Sequence, residues 1–178
     1  MALYFLRHGE SVANAKGVFA GQRENSSLTP HGLEQAREAA EELRPMMVDV
    51  IIASGLKRTL QTAEEVAKAI GLDPKSIKTD KRILEYDMGS ITGTPIRKVT
   101  SSELVTADGA EDPHEFQARV VSFLREHKDS KENILVVSHA GVGRIIESTR
   151  LGLDPKGFYD VPSYPNAQPV KLDVSWLV

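Results

Sequence analysis

The stretch Ala2-Leu3-Tyr4-Phe5-Leu6-Arg7-His8-Gly9-Glu10-Ser11 decides how the chain is read. Five apolar residues give way to a cation, an imidazole, a glycine, a carboxylate and a hydroxyl. A short unbroken apolar run marks a strand covered on both faces, as in a parallel sheet. The same pattern returns in "VDVIIAS" (48–54) and "NILVVSH" (133–139), each again ending on polar residues. A weaker strand is expected in "SIKTDKRI" (76–83), and "VKLDVSWLV" (170–178) reads as a closing strand.

Helical patterns separate these runs. In "LTPHGLEQAREAAEELRPM" (28–46), Thr29 is placed to cap, Pro30 suits the first helical position, and Leu33, Ala36, Ala40 and Leu43 recur on one face. "LKRTLQTAEEVAKAIG" (56–71) carries Leu60, Ala63, Val66, Ala67 and Ile70 on one face and stops at Gly71. "DPHEFQARVVSFLREH" (112–127) and "VGRIIESTRLGL" (142–153) give two more helices. Between Glu85 and Pro113 the chain reads as loop, with one short helix near 97–104. Alternation of this kind predicts an α/β fold, a three-layer α/β/α sandwich on a mainly parallel sheet, in a single domain over residues 1–178.

With 178 residues, 40% of them hydrophobic and 26% charged, the chain is long enough for one full core. The net charge of -3 argues against broad nucleic-acid binding, and the absence of cysteine removes disulfides and thiolate chemistry. The apolar start is too short for a signal-peptide core or a membrane span, so a cytoplasmic, membrane-free protein is expected. No heptad or apolar stripe speaks to oligomeric state.

Open parallel sheets bind ligands beyond the carboxyl ends of their strands. Right-handed crossovers bring the ends of the first, second and fourth strands to one edge. Arg7, His8, Arg58 and His139 then surround one crevice, into which the helices near residues 11, 56 and 141 point free backbone N–H groups. Guanidinium forks match phosphate oxygens in pairs, so phosphate is the first ligand class, with sulfate or carboxylate behind. The chain lacks G-x-x-x-x-G-K-[ST], and "GVGRII" (141–146) has Ile146 where a dinucleotide loop needs its third glycine. What remains is a neutral imidazole as nucleophile, carrying the phosphoryl group covalently. A leaving alkoxide needs a proton; Glu85 in "RILEYDMGS" is the candidate acid and Asp87 the reserve.

Four segments, "LRHGESVAN" (6–14), "SGLKRTLQTA" (54–63), "LEYDMG" (84–89) and "VVSHAG" (136–141), resemble in order and spacing the signatures of the histidine phosphatase superfamily, the phosphoglycerate-mutase-like fold. The resemblance implies that His8 is phosphorylated and that Glu85 is the proton donor. It implies that Arg7, Arg58 and His139 hold phosphoryl oxygens, with Asn14 and Gln22 beside the phosphate. Ala140 stands where glycine is commoner and still offers a backbone N–H. Neither a metal nor an organic cofactor is implied. The partner is a small phosphorylated substrate.

His31, His114 and His127 read as surface residues at helix ends. Thr59, Gln61 and Thr62 read as structural. Ser11 sits in "GESVA", a degenerate nucleophile elbow, but that reading leaves Arg7, His8 and Arg58 without work, so Ser11 is expected to cap a helix. The resemblance favours a phosphatase over a phosphoglycerate mutase: mutases of the family are usually longer with a basic insert, whereas residues 90–113 are short and set only Arg97 and Lys98 against Glu103, Asp108, Glu111 and Asp112, which leaves a site open to water. A silent phospho-ligand adaptor is the rival from another class.

Overall fold

In the computed structural model, residues 2–177 are described. Five strands form one sheet: β1 (Leu3–Arg7), β2 (Val50–Ala53), β3 (Lys78–Thr79), β4 (Ile134–Ser138) and β5 (Pro169–Lys171). Their order is β3-β2-β4-β1-β5, parallel throughout except for β5, which runs antiparallel to β1. Six α-helices accompany them: α1 (Val12–Lys16), α2 (Pro30–Leu43), α3 (Lys57–Ile70), α4 (Ser101–Thr106), α5 (Pro113–His127) and α6 (Ala140–Arg150).

Successive strand residues point to opposite faces, so each run feeds two cores. Leu3, Phe5, Ile52, Ile134 and Val136 join Phe116, Phe123, Ile145 and Phe158 on one face. Leu6, Ile51, Ala53, Leu135 and Val137 join Ala39, Ala40, Leu43, Ala63 and Val66 from α2 and α3 on the other. The expected three layers follow from this partition. Each large apolar side chain buried there contributes about 1.5–3 kcal/mol.

Local chemistry sets the boundaries. The Thr29 hydroxyl accepts from Gly32 N–H at 3.0 Å at the start of α2, and Asp112 accepts from the N–H groups of His114 and Glu115 at the start of α5. Gly71, at φ 86°, ends α3 in the left-handed conformation.

Three expectations needed correction. The closing strand over 170–178 pairs only as Pro169–Lys171, with Leu172 N–H adding one bond to Leu3 O. Beyond it the Asp173 carboxylate accepts from Ser175 N–H at 3.0 Å and the Trp176 indole donates to Asp173 O, which turns the chain away; Val178 lies outside the described residues. The strand in 76–83 shrinks to two residues because Asp80 accepts from Arg82 N–H at 2.8 Å and forms a turn. The helix near 97–104 divides into a 3₁₀ turn, Ile96–Lys98, and α4, which Thr100 and Glu103 start with a reciprocal capping box.

The segment after β1 is locked against α2. Thr29 N–H donates to Glu10 O at 2.9 Å, and a Cβ on Gly32 would lie 2.1 Å from that same carbonyl oxygen. Alanine ordinarily stabilises a helix by about 1 kcal/mol relative to glycine. Here backbone meets backbone and cannot yield, so Gly32→Ala should instead destabilise by about 1–3 kcal/mol in urea unfolding. A gain in stability would show that the two segments can part freely.

Candidate active site

His8 is the first residue beyond β1, and its N–H continues the ladder to Ser138 O at 3.0 Å. Its ring is fixed from both sides. Nδ1 lies 2.7 Å from Gly9 O, a carbonyl that can only accept, so Nδ1 carries the proton. Arg58 Nε–H donates to Nε2 at 3.2 Å, so Nε2 presents a lone pair. His8 is therefore a neutral imidazole with an in-plane lone pair on Nε2. Burial is the main cause holding its pKa well below the ordinary 6.5, and Arg58⁺ and Arg7⁺ work in the same direction.

Arg58 enters from the first turn of α3 and is only 1% exposed. Besides reaching His8, its Nη1 donates to Glu24 O at 3.1 Å and its Nη2 to Gly21 O at 2.8 Å. Thr62, one turn on, donates to Arg58 O and accepts from Gly9 N–H at 3.1 Å, tying the helix to the segment that carries His8. Arg7 Nη1 donates to Tyr164 O at 3.1 Å, while its buried Nε has no partner. Burial lowers the pKa of both arginines, with the Glu85 carboxylate opposing that trend. Arg7 is thus the less completely paired of the two, and a buried N–H without a partner is costly.

His139 follows β4 and caps α6. Its ring centroid lies 5.2 Å from that of His8, edge to face. Nε2 is 2.7 Å from Ser54 Oγ, which is 2.9 Å from Thr59 Oγ1, whose own proton goes to Leu56 O. With that carbonyl as the final acceptor, each hydroxyl donates onward and His139 donates from Nε2. Its Nδ1 is buried with no partner. Burial, then Arg58⁺ and His8, push its pKa well below 6.5.

Glu85 is buried at the edge of the same space. One carboxylate oxygen accepts from Tyr86 N–H at 2.9 Å and the other from Gly141 N–H at 3.3 Å. A Cβ on Gly141 would sit 2.2 Å from Glu85 Oε1, so only glycine leaves the carboxylate its place.

A cavity of about 210 Å³ gathers Arg7, His8, Asn14, Arg58, Glu85 and Ala140 at the carboxyl end of the sheet. Asn14 also closes a capping box with Ser11. His139 lies behind this lining, fully buried. Gln22 approaches from outside, its amide donating to Glu85 O at 2.8 Å rather than lining the cavity. Asp87 is turned away, paired with Arg23 at 2.9 Å. Ser11 is a helix cap, as expected, its hydroxyl accepting from Asn14 N–H at 3.2 Å. Arg144, Tyr159 and Ser163 also line the cavity, although the sequence reading gave them no part. Arg144 follows Ala140, itself on the cavity wall, by four residues or about one helical turn, a spacing that could have drawn attention to it. Ser54 opens a sequence motif, but its bond to His139 crosses 85 residues and left no local signal.

The geometry places three arginines, a neutral imidazole and a carboxylate around one cavity at the edge of a mainly parallel sheet. The profile of the histidine phosphatase superfamily (branch 1) matches residues 3–175. A protein named as a probable phosphoglycerate mutase, GpmB, from Enterobacter sp. (strain 638) is 37% identical over 86% of this chain and 76% of its own. One provisionally named phosphoserine phosphatase 2, from Hydrogenobacter thermophilus, is 30% identical over 89% of this chain and 83% of its own. Among solved structures, Bacillus stearothermophilus YhfR superposes with a TM-score of 0.83 at 21% identity, covering 98% of this chain and 92% of that one. A mycobacterial glucosyl-3-phosphoglycerate phosphatase in complex with VO3 gives 0.80 at 23% identity, covering 96% and 92%. At such identities the structures speak for the fold, and they agree with it. The chain belongs to the histidine phosphatase superfamily. Among the described residues, no helix is long and apolar enough to cross a membrane.

Two outcomes follow from the buried groups. The unfolded chain has ordinary histidines, so below pH 6.5 it binds more protons than the fold, whose His8 and His139 stay neutral. The stability tied to their neutrality is complete above pH 6.5 and is lost as pH falls below it. His8→Gln and His139→Gln should each flatten the decline of unfolding free energy between pH 6.5 and 5, by up to about 1.4 kcal/mol per pH unit. His127 is also depressed, so the single replacements are compared with the parent. An unchanged slope would mean the imidazole is already charged in the fold. Gly141→Ala meets the movable end of a side chain, so its melting temperature should hold within a few degrees. Turnover of alkyl phosphates should nevertheless fall about 10-fold or more as Glu85 is displaced.

Proposed function

We propose that the protein is a phosphomonoesterase that hydrolyses a small phosphorylated metabolite through a phosphohistidine on His8. The observation that carries this reading is the fixed tautomer of His8, whose Nε2 lone pair faces Arg58 inside a buried cationic site. The names borne by the relatives, phosphatases and a mutase of phosphorylated small molecules, support the same reaction class.

In the first step Nε2 attacks phosphorus, the N–P bond forms and the bond to the ester oxygen breaks. The Glu85 carboxyl group gives its proton to the departing oxygen. Arg58 exchanges its hydrogen bond to Nε2 for one to a phosphoryl oxygen. Arg7 Nε–H, buried without a partner, is the remaining donor for an oxygen, and the start of α6 adds its N–H groups; His139 Nδ1, a lone pair in the neutral ring, holds an oxygen only once the entering dianion draws a proton onto it. Asn14 lines the same wall. In the second step water attacks phosphorus and passes a proton to the Glu85 carboxylate. The N–P bond breaks, and phosphate leaves with His8 restored. The cycle uses no metal or organic cofactor.

Hydrolysis is favoured over transfer to a second position by the segment from residue 90 to 113. It contributes only Ile96 to the cavity wall, an apolar side chain that is itself 39% exposed. No cation from that segment closes over a bound substrate, so the phosphohistidine is left open to water.

The test is phosphate release from an aryl phosphate with a chelator present. His8→Ala should abolish it, whereas Ser11→Ala should retain most of it after allowance for the lost cap. Arg58→Ala should cost about 10²–10³ in rate. Glu85→Gln should cost about 10²–10⁴ with alkyl phosphates, and far less when the leaving group needs no proton. Dependence on added Mg²⁺ or Zn²⁺, or full activity in His8→Ala, would overturn the mechanism. Isomerisation of phosphoglycerate faster than its hydrolysis would make the protein a mutase instead.

A further inference from the structure

Arg119 lies on α5, outside the cavity, and nothing in the sequence marked it. Its guanidinium has five N–H groups, and each has a partner. Nε donates to Glu111 Oε1 at 2.6 Å. Nη2 donates to Glu111 Oε2 at 2.9 Å and to Glu85 O at 3.0 Å. Nη1 donates to Leu84 O at 2.8 Å and to Arg82 O at 2.7 Å. The fork thus grips the main chain of residues 82, 84 and 85 in one plane and is itself held by a carboxylate. Its Cζ lies 4.6 Å from the centroid of the Phe116 ring, which supports the plane from one side.

We propose that Arg119 is a positioning residue for the proton donor: it fixes the main chain of 82–85, and through it the reach of the Glu85 carboxyl group to the leaving oxygen. This rests on the acid role given to Glu85 above. The alternative is an ordinary fastener between α5 and the loop. Glu111 ties the far side of the loop independently of Arg119, with its N–H donating to Asp87 O at 2.9 Å and its carbonyl accepting from the Tyr86 hydroxyl. Gln22 adds a second donor to Glu85 O. The loop therefore keeps several anchors when Arg119 is changed, and what is lost first is the registration of residues 82–85. Lysine at this position keeps a charge for Glu111, but a single ammonium with three donors cannot span three carbonyls and a bidentate carboxylate.

A fastener and a positioning residue differ in how their loss depends on the leaving group. Arg119→Lys is assayed on glycerol phosphate, whose alkoxide needs a proton, and on 2,4-dinitrophenyl phosphate, whose phenolate does not. A misplaced acid should lower kcat on the alkyl ester by about 10- to 100-fold with little change in KM, and leave the dinitrophenyl ester within about 3-fold. In a Glu85→Gln background, Arg119→Lys should add less than about 3-fold on either substrate, because the two changes act on one step. Equal losses on both esters, no loss on either, or additive losses in the double variant would overturn the proposal. If Glu85→Gln alone leaves the ratio of the two esters unchanged, the acid assignment falls and this proposal with it. A normal Glu85→Gln result beside a flat Arg119→Lys result removes only the present inference. Should Arg119→Lys fail to fold, Glu111→Gln loosens the guanidinium without removing it. It should give the same leaving-group dependence at about 2- to 5-fold, and a uniform loss there also counts against the role.

Discussion

The parallel pairing of β1 with β4, from Leu3 opposite Ile134 to Arg7 opposite Ser138, holds His8 and His139 one residue beyond the same rung of the sheet. A slip of one residue would turn Phe5 and Val136 away from the aromatic core around Phe116 and Phe158, and every other side chain with them. The apolar alternation and the position of the imidazoles are therefore one constraint. With the register set, α3 and α6 leave the ends of β2 and β4 at the same edge, so Arg58 and the N–H groups at the start of α6 converge without any long loop to carry them.

The site brings together groups that repel. Three arginines line the cavity against a single carboxylate, and both imidazoles stay neutral because burial and the neighbouring guanidiniums disfavour a further charge. Main-chain carbonyls take up much of the strain: Gly21, Glu24 and Tyr164 accept from Arg58 and Arg7, and Gly9 accepts from His8. Carbonyl dipoles stabilise a cation without neutralising it. The cationic field at the cavity therefore persists, and it favours an anion there.

Much of this was legible in the sequence. The unbroken apolar runs identified strands covered on both faces, and the helix caps at Thr29 and Gly71 stood where local chemistry put them. His8, Arg7, Arg58 and Glu85 were recognisable because each sits in a short segment of distinctive spacing. Other features had no local mark. Arg119 stands at the edge of the apolar face of α5, three residues after Phe116 and four before Phe123, where an arginine ordinarily reaches out to water, and its partners lie 34 to 37 residues away except for Glu111. Ser54 and His139 are separated by 85 residues, and the close approach of Gly32 to Glu10 is invisible until α2 is docked. The closing strand was overextended because apolar alternation alone does not register a side-chain turn such as that at Asp173.

Arg58 and Arg119 share a habit with a wider consequence. Arg58 holds the main chain at Gly21 and Glu24, and Arg119 holds it at Arg82, Leu84 and Glu85. A bond to a carbonyl is indifferent to the side chain on the same residue. Neighbouring cavity walls that are less buried, at Val18, Ala20 and Ile96, can therefore be exchanged without loosening the bonds that place these guanidiniums. Such a scaffold keeps the placement of its charged groups independent of the lining around them.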